Sequence, residues 1–98
     1  MMIDLLNDIV DSLRGGNLSK ITPSSIKVIN DYVVNILNRS KTINSIVNKE
    51  DIECMRLIIL ISNILYNNTS RELLVLDDGI YDLLLEYYKL FDPNYLVG

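Results

Sequence analysis

The sequence predicts an all-α protein, a small bundle of about four helices in a single domain spanning residues 1–98. Apolar residues recur every three to four positions along most of the chain, as they do on the buried face of a helix. Residues that favour helix ends separate these stretches. The chain has 98 residues, of which 49% are hydrophobic and 22% are charged. That composition is typical of one globular domain near the lower size limit for a self-sufficient core.

The first predicted helix covers residues 3–14. Glycine adopts the left-handed backbone that closes many helices, so Gly15 and Gly16 should end this one. Its apolar stripe and its polar stripe lie on opposite faces: Leu5, Leu6, Ile9, Val10 and Leu13 against Asp4, Asn7, Asp8 and Asp11.

The second predicted helix covers residues 23–39, with Thr22 as its cap and Pro23 at its first position. Its many Val and Ile residues make a strand the competing interpretation, but the helical spacing favours a helix. The residues expected to be buried are Ile26, Ile29, Tyr32, Val33, Ile36 and Leu37. Residues 40–47 are ambiguous between a turn and a single helical turn around Ile43 and Ile46.

The third predicted helix begins after Asn48, a capping residue, and extends to residue 66 or 67. Glu50 and Asp51 suit its positive N-terminal end. Residues 57–61 are all apolar, so this helix should be the most buried element. The run is far shorter than the roughly 20 residues that cross a bilayer, so we expect no membrane association. Homodimerisation through this apolar helix is one open alternative.

The last predicted helix opens at Asp77 or Asp78 and runs to about Phe91, before Pro93. Residues 71–76 form a connecting loop that is apolar enough to pack against the core. With no internal repeat and no linker, the chain is expected to be one domain.

Composition and charge argue against several functions. The net charge is −4 with no histidine, and the basic residues are scattered, so we expect no direct binding of nucleic acid. The chain also lacks a Ser-His or Cys-His pair, and we expect neither catalysis by this chain alone nor a metal site. Cys54, the single cysteine, is expected to be a small core residue. Acidic residues interrupt any signal-peptide segment, which indicates a cytoplasmic protein.

The start of the last helix carries the most informative group of residues. Asp78 can accept backbone N–H bonds there, and Tyr81 and Asp82 follow three and four residues later on one face. Two carboxylates beside an aromatic ring could bind a ligand with vicinal hydroxyls and a flat cationic ring. Tyr66, at the end of the preceding helix, could face this turn. The alternative is structural: a cap, an acidic first turn and a half-buried tyrosine.

The same segment resembles the N-terminal domain of NAD-dependent DNA ligases of the bacterial type. Residues 65–67 read Leu-Tyr-Asn and residues 78–84 read Asp-Gly-Ile-Tyr-Asp-Leu-Leu. The family has Tyr-His, a loop, then Asp-x-x-Tyr-Asp-x-Leu, and ends in Pro followed by Val-Gly, as residues 92–98 do here. The resemblance covers residues 58–98, so the ligase-like helical pair is placed in residues 51–98 and residues 1–50 are additional helices.

The resemblance implies a nicotinamide-nucleotide-binding domain that positions NAD for adenylation of a lysine in a separate adenylation domain. Tyr66 and Tyr81 would pack against the nicotinamide, and Asp78 and Asp82 would hold its ribose or ring amide. Asn67 stands where the family has histidine. The chain contains no Lys-x-Asp-Gly motif, so the nucleophile is expected to be elsewhere or missing. A ligase would carry it in an adenylation domain that follows residue 98.

The alternative function is a stand-alone acidic helical module that binds another protein, such as a phage-encoded inhibitor or assembly factor. The abundance of Asn, Ile and Tyr indicates an AT-rich coding genome, such as that of a phage or a low-GC bacterium.

Overall fold

In the computed structural model, residues 1–41, 47–68 and 75–95 are described, and they form four α-helices. These are α1 (Met2–Arg14), α2 (Pro23–Arg39), α3 (Lys49–Asn68) and α4 (Asp78–Lys89). No strand occurs among the residues that the structure describes. The predicted all-α bundle is therefore confirmed.

The ends of α1 and α2 show the local chemistry that the sequence predicts. Gly16 has φ +77°, its N–H bonds to Leu13, and the N–H of Asn17 bonds to Ser12, which together satisfy the last carbonyls of α1. At the start of α2, the Thr22 hydroxyl accepts from the Ser25 N–H and the Ser25 hydroxyl accepts from the Thr22 N–H.

Helix α3 lies at the centre of the core, because both α1 and α4 pack on it while α2 packs on α4. Four of the five residues in its apolar run, Leu57, Ile58, Ile59 and Ile61, are at most 2% exposed. The prediction that this is the most buried element is confirmed. The run is already covered by the chain's own packing, which leaves little of it for a second copy to contact.

A polar contact joins α2 to the first turn of α3. The Tyr32 hydroxyl donates to Asp51 Oδ1 at 2.8 Å, and Arg39 Nη2 lies 3.7 Å from Asp51 Oδ2. Cys54, one turn further along α3, is 1% exposed and packs in the core as predicted. Burial raises the pKa of its thiol, which makes it a poor nucleophile.

The start of α4 agrees with the prediction, whereas its end differs in detail. Asp77 is the cap, since its Oδ1 accepts the Ile80 N–H at 2.8 Å, and Asp78 is the first helical residue. The helix ends at Lys89 rather than near Phe91, because the N–H groups of Leu90 and Phe91 bond three residues back in a tighter turn.

The two uncertain connections lie largely outside the described residues. Residues 42–46, including the predicted turn at Ile43 and Ile46, are not described, and neither are 69–74. Val75 and Leu76, at the end of the second connection, are buried as predicted. Among the described helices, none is long and apolar enough to span a membrane.

Candidate functional site

Helices α3 and α4 pack antiparallel, and this arrangement positions the candidate site. The Tyr81 hydroxyl donates to Asn63 Oδ1 at 2.8 Å. Arg56 lies two turns before Asn63 on α3, and its guanidinium interacts electrostatically with Tyr88, two turns after Tyr81 on α4. The pKa of Arg56 is raised mainly by its hydrogen bond with Glu53. Residue numbers therefore rise along α3 as they fall along α4.

This register brings the predicted site residues to one end of the helix pair. Because the helices are antiparallel, one turn after Asn63 on α3 corresponds to one turn before Tyr81 on α4. Tyr66 and Asn67 are therefore level with the start of α4, at Asp77 and Asp78. Asn67 is exposed, and Tyr66 keeps 53% of its surface exposed. The end of α3 and the start of α4 therefore present side chains together to solvent.

The two carboxylates of the site lie on one exposed face of α4. Asp78 and Asp82 are four residues apart, one helical turn, and both are exposed. The expectation that Asp78 accepts backbone N–H bonds is wrong, because Asp77 performs that capping role. Asp78 and Asp82 thus face solvent rather than the helix terminus.

Tyr81 lies between this acidic face and α3. It is half-buried, and burial raises the pKa of its hydroxyl while the hydrogen bond with Asn63 opposes that effect. The hydroxyl is therefore neutral at physiological pH. Its bond to Asn63 fixes the orientation of the ring, so Tyr81 can offer a ligand an aromatic surface.

Asn63 and Tyr95 belong to this cluster although the sequence did not single them out. Asn63 also lies beside the Tyr95 hydroxyl, whose pKa is raised chiefly by burial. The Tyr95 ring packs edge-to-face on Tyr88, with ring centroids 5.2 Å apart. A polar residue four positions before Asn67, within the mostly apolar second half of α3, was the available signal for Asn63.

The charge at this end of the pair limits the ligands that it can bind. Asp77, Asp78 and Asp82 are all exposed, so the local field favours cationic and hydroxyl-bearing groups and disfavours phosphates. No cluster of three or more metal-ligating side chains occurs within the described ranges. The arrangement can accept hydrogen bonds from hydroxyls and stack on a flat ring.

A second surface feature lies between α2 and α4 and was not predicted. This α2–α4 groove has a volume of about 500 Å³. It is lined by Val34, Leu37, Asn38, Ser40, Lys41, Leu83, Glu86, Tyr87 and Leu90. Tyr87 sits at its rim and packs edge-to-face on Phe91, whereas the neighbouring Tyr88 is buried in the core.

No model of a known protein family matches this chain, and no curated protein or solved structure that was compared with it does so either.

Proposed function

We propose that this chain is a nicotinamide-nucleotide-binding domain that holds the nicotinamide mononucleotide half of NAD, as in an NAD-dependent DNA ligase or a relative of one. The observation that carries the proposal is the α3–α4 register, since it brings Tyr66 and Asn67 to the same end of the helix pair as the opening turns of α4. The sequence resemblance concerns these same residues.

The chemistry of the exposed groups suits this ligand. The carboxylates of Asp78 and Asp82 would accept hydrogen bonds from the vicinal hydroxyls of the ribose. The rings of Tyr66 and Tyr81 would pack against the nicotinamide, whose positive charge in NAD favours both an aromatic face and nearby carboxylates. Asn67 would donate to or accept from the ring amide.

The role proposed for the domain is ligand positioning rather than bond making. Holding the nucleotide by its nicotinamide end would present the pyrophosphate to a lysine in a separate adenylation domain. Fixing reactants in this way lowers the entropic part of a reaction barrier. The exposed carboxylates of Asp77, Asp78 and Asp82 disfavour phosphates. This fits a division of the ligand between two domains, with the phosphates held by the other one.

An NMR titration of the chain tests the proposal, with nicotinamide mononucleotide as the ligand and AMP as the control. We expect the mononucleotide alone to shift the signals of Tyr66, Asn67 and residues 78–82. Absence of shifts at millimolar mononucleotide, or equal shifts with AMP, would contradict the proposal.

A matched pair of variants separates ligand contact from loss of charge. Asp82→Asn should weaken nicotinamide mononucleotide binding, whereas Asp8→Asn removes the same charge from the exposed face of α1 and should not. Because Asp82 is exposed and is not the cap, its replacement should change the free energy of unfolding by less than about 0.5 kcal/mol. Equal binding by both variants would count against a role for Asp82.

A protein-interaction module is the second candidate function, and the α2–α4 groove is the observation that favours it. Apolar grooves between helices are common docking sites for helical segments of other proteins.

A further inference from the structure

Tyr95, in the turn that follows α4, is held against the last turn of that helix. Its backbone N–H bonds to the carbonyl of Asp92 at 3.1 Å, and the Asp92 carboxylate accepts from the Tyr88 hydroxyl at 3.3 Å. The Tyr95 ring meets the buried Tyr88 ring at an angle of 85°, in the edge-to-face arrangement that aromatic pairs favour. These contacts fix the position of the half-buried Tyr95 side chain.

Asn63 connects Tyr95 with the candidate site. The Asn63 Oδ1 accepts from the Tyr81 hydroxyl at 2.8 Å, and the same side-chain amide hydrogen-bonds with the Tyr95 hydroxyl. An asparagine amide carries an acceptor oxygen and a donor NH2 group, so it can serve two hydroxyls at once. One amide on α3 therefore ties a residue of the turn after α4 to a residue of the site.

Tyr81 is the one of these three residues that the proposed function places against the nicotinamide. It is only half-buried, so packing supports part of its ring, and its hydroxyl end is restrained by Asn63. A ring that is already restrained loses less conformational entropy when a ligand stacks on it. Without the Tyr95 hydroxyl, the Asn63 amide would keep only one of the two hydroxyls that hold it and could rotate more freely.

We infer that Tyr95 is a positioning residue of the candidate site: through Asn63 it holds the Tyr81 ring in the orientation that stacks on the nicotinamide. The inference rests on the proposed function and adds the turn after α4 to the parts of the chain that determine recognition of the ring. Tyr95 acts through its neighbours rather than by touching the ligand. Recognition of the ribose, which is assigned to Asp78 and Asp82, should not depend on Tyr95.

Tyr95→Phe is the test variant, because it keeps the aromatic ring and removes only the hydroxyl that Asn63 contacts. We expect the affinity of the chain for nicotinamide mononucleotide, measured by NMR titration, to fall about threefold to tenfold. Tyr87→Phe is the matched control. It removes a hydroxyl from another half-buried tyrosine, which lines the α2–α4 groove, and should leave the affinity unchanged.

The signals of the bound ligand separate positioning from a general loss of structure. The ring current of an aromatic side chain displaces the proton signals of a ring stacked on it, so the nicotinamide protons of the saturated wild-type complex should move upfield. In Tyr95→Phe this displacement should be smaller, whereas the ribose protons should keep their wild-type shifts. Lower affinity with an unchanged displacement would indicate loss of structure alone and would overturn the inference.

Asn63→Ala removes the link itself and tests the route. This variant should weaken binding at least as much as Tyr95→Phe does. The double variant should lose no more affinity than Asn63→Ala alone, since both changes break the same connection. Losses that add up would mean that Tyr95 acts by another path, and the inference would be wrong.

Failure of this inference is distinguishable from failure of the proposed function. If the wild-type chain does not bind nicotinamide mononucleotide, the proposed function is wrong and the inference fails with it. If the wild-type chain binds and Tyr95→Phe binds equally, with the same nicotinamide shifts, the proposed function stands and only the role of Tyr95 is wrong.

Discussion

At the scale of single residues, the Tyr32 hydroxyl makes a side-chain hydrogen bond between α2 and the start of α3. The Tyr32 hydroxyl donates to Asp51 at 2.8 Å, and the Asp51 side chain is only 15% exposed. Hydrogen bonds to charged groups contribute more to stability than neutral ones, and a buried carboxylate that loses its donor keeps its desolvation cost.

Tyr32→Phe should therefore lower the free energy of unfolding by about 1.5–3 kcal/mol, measured by urea denaturation. The control is Tyr87→Phe, since Tyr87 is also half-buried but its hydroxyl has no hydrogen bond to the described residues. The control should cost less than about 0.5 kcal/mol. Equal losses in the two variants would show that the Asp51 contact is not what Tyr32 contributes.

Contacts of this kind could not be predicted from the sequence. Tyr32 was expected in the apolar stripe of α2, and its ring does pack there, but its partner lies nineteen positions away on another helix. The role of Asn63 was not predicted for the same reason, since its hydrogen bond with Tyr81 forms only when α3 and α4 pack together. Local spacing fixes which face a side chain lies on, whereas a specific partner depends on how two helices are aligned.

At the scale of helices, Asp77 caps α4 and the neighbouring Asp78 does not. Asp77 accepts the Ile80 N–H, while Asp78 is an exposed residue in the first turn. Asp77→Ala should lower the free energy of unfolding by about 1 kcal/mol, because the cap is lost. Asp78→Ala should cost only about 0.3–1 kcal/mol through the helix dipole.

Binding should show the opposite ranking. Under the proposed function, Asp78→Ala weakens nicotinamide mononucleotide binding and Asp77→Ala affects it less. Urea denaturation and the NMR titration on the same two variants measure both quantities. If Asp77→Ala lost more binding than Asp78→Ala, the ligand would contact Asp77, and our assignment of that contact to Asp78 would be wrong.

The helices themselves were well predicted, because their signals are local. The Thr22-Pro23 start, the Gly16 stop and the Asn48 cap all act within one turn, and each occurs where expected. The α2–α4 groove was not predicted, since it arises from two helices far apart in the chain. Exposed Val34 and Leu83 look ordinary in sequence, and only their juxtaposition makes a surface.

At the scale of the whole molecule, helix α4 contributes side chains to the core, to the α2–α4 groove and to the exposed end that it shares with α3. Leu84 and Tyr88 face the core, Leu83 and Leu90 face the groove, and Asp78 and Asp82 face solvent at the end shared with α3. A ligand at either surface would stabilise the same helix, so both should raise the unfolding midpoint of the chain by mass action.

The tyrosines determine how the stability of the whole chain depends on alkaline pH. Burial raises the pKa of Tyr32, Tyr81, Tyr88 and Tyr95 above the ordinary value of 10.0, and acidic neighbours add to the effect for Tyr32 and Tyr88. Unfolded tyrosines therefore lose protons at lower pH than folded ones. The folded state binds more protons than the unfolded state above about pH 10, so stability falls as pH rises through that range.

We expect the urea midpoint to be nearly constant between about pH 8 and 9 and to fall progressively above about pH 10. Each tyrosine that stays protonated when folded contributes at most about 1.4 kcal/mol per pH unit, and less where solvent screens it. Tyr32→Phe should make the alkaline decline shallower, because it removes one of the four groups. A midpoint that does not change up to about pH 11 would mean that these hydroxyls are as accessible to base in the folded chain as in the unfolded one.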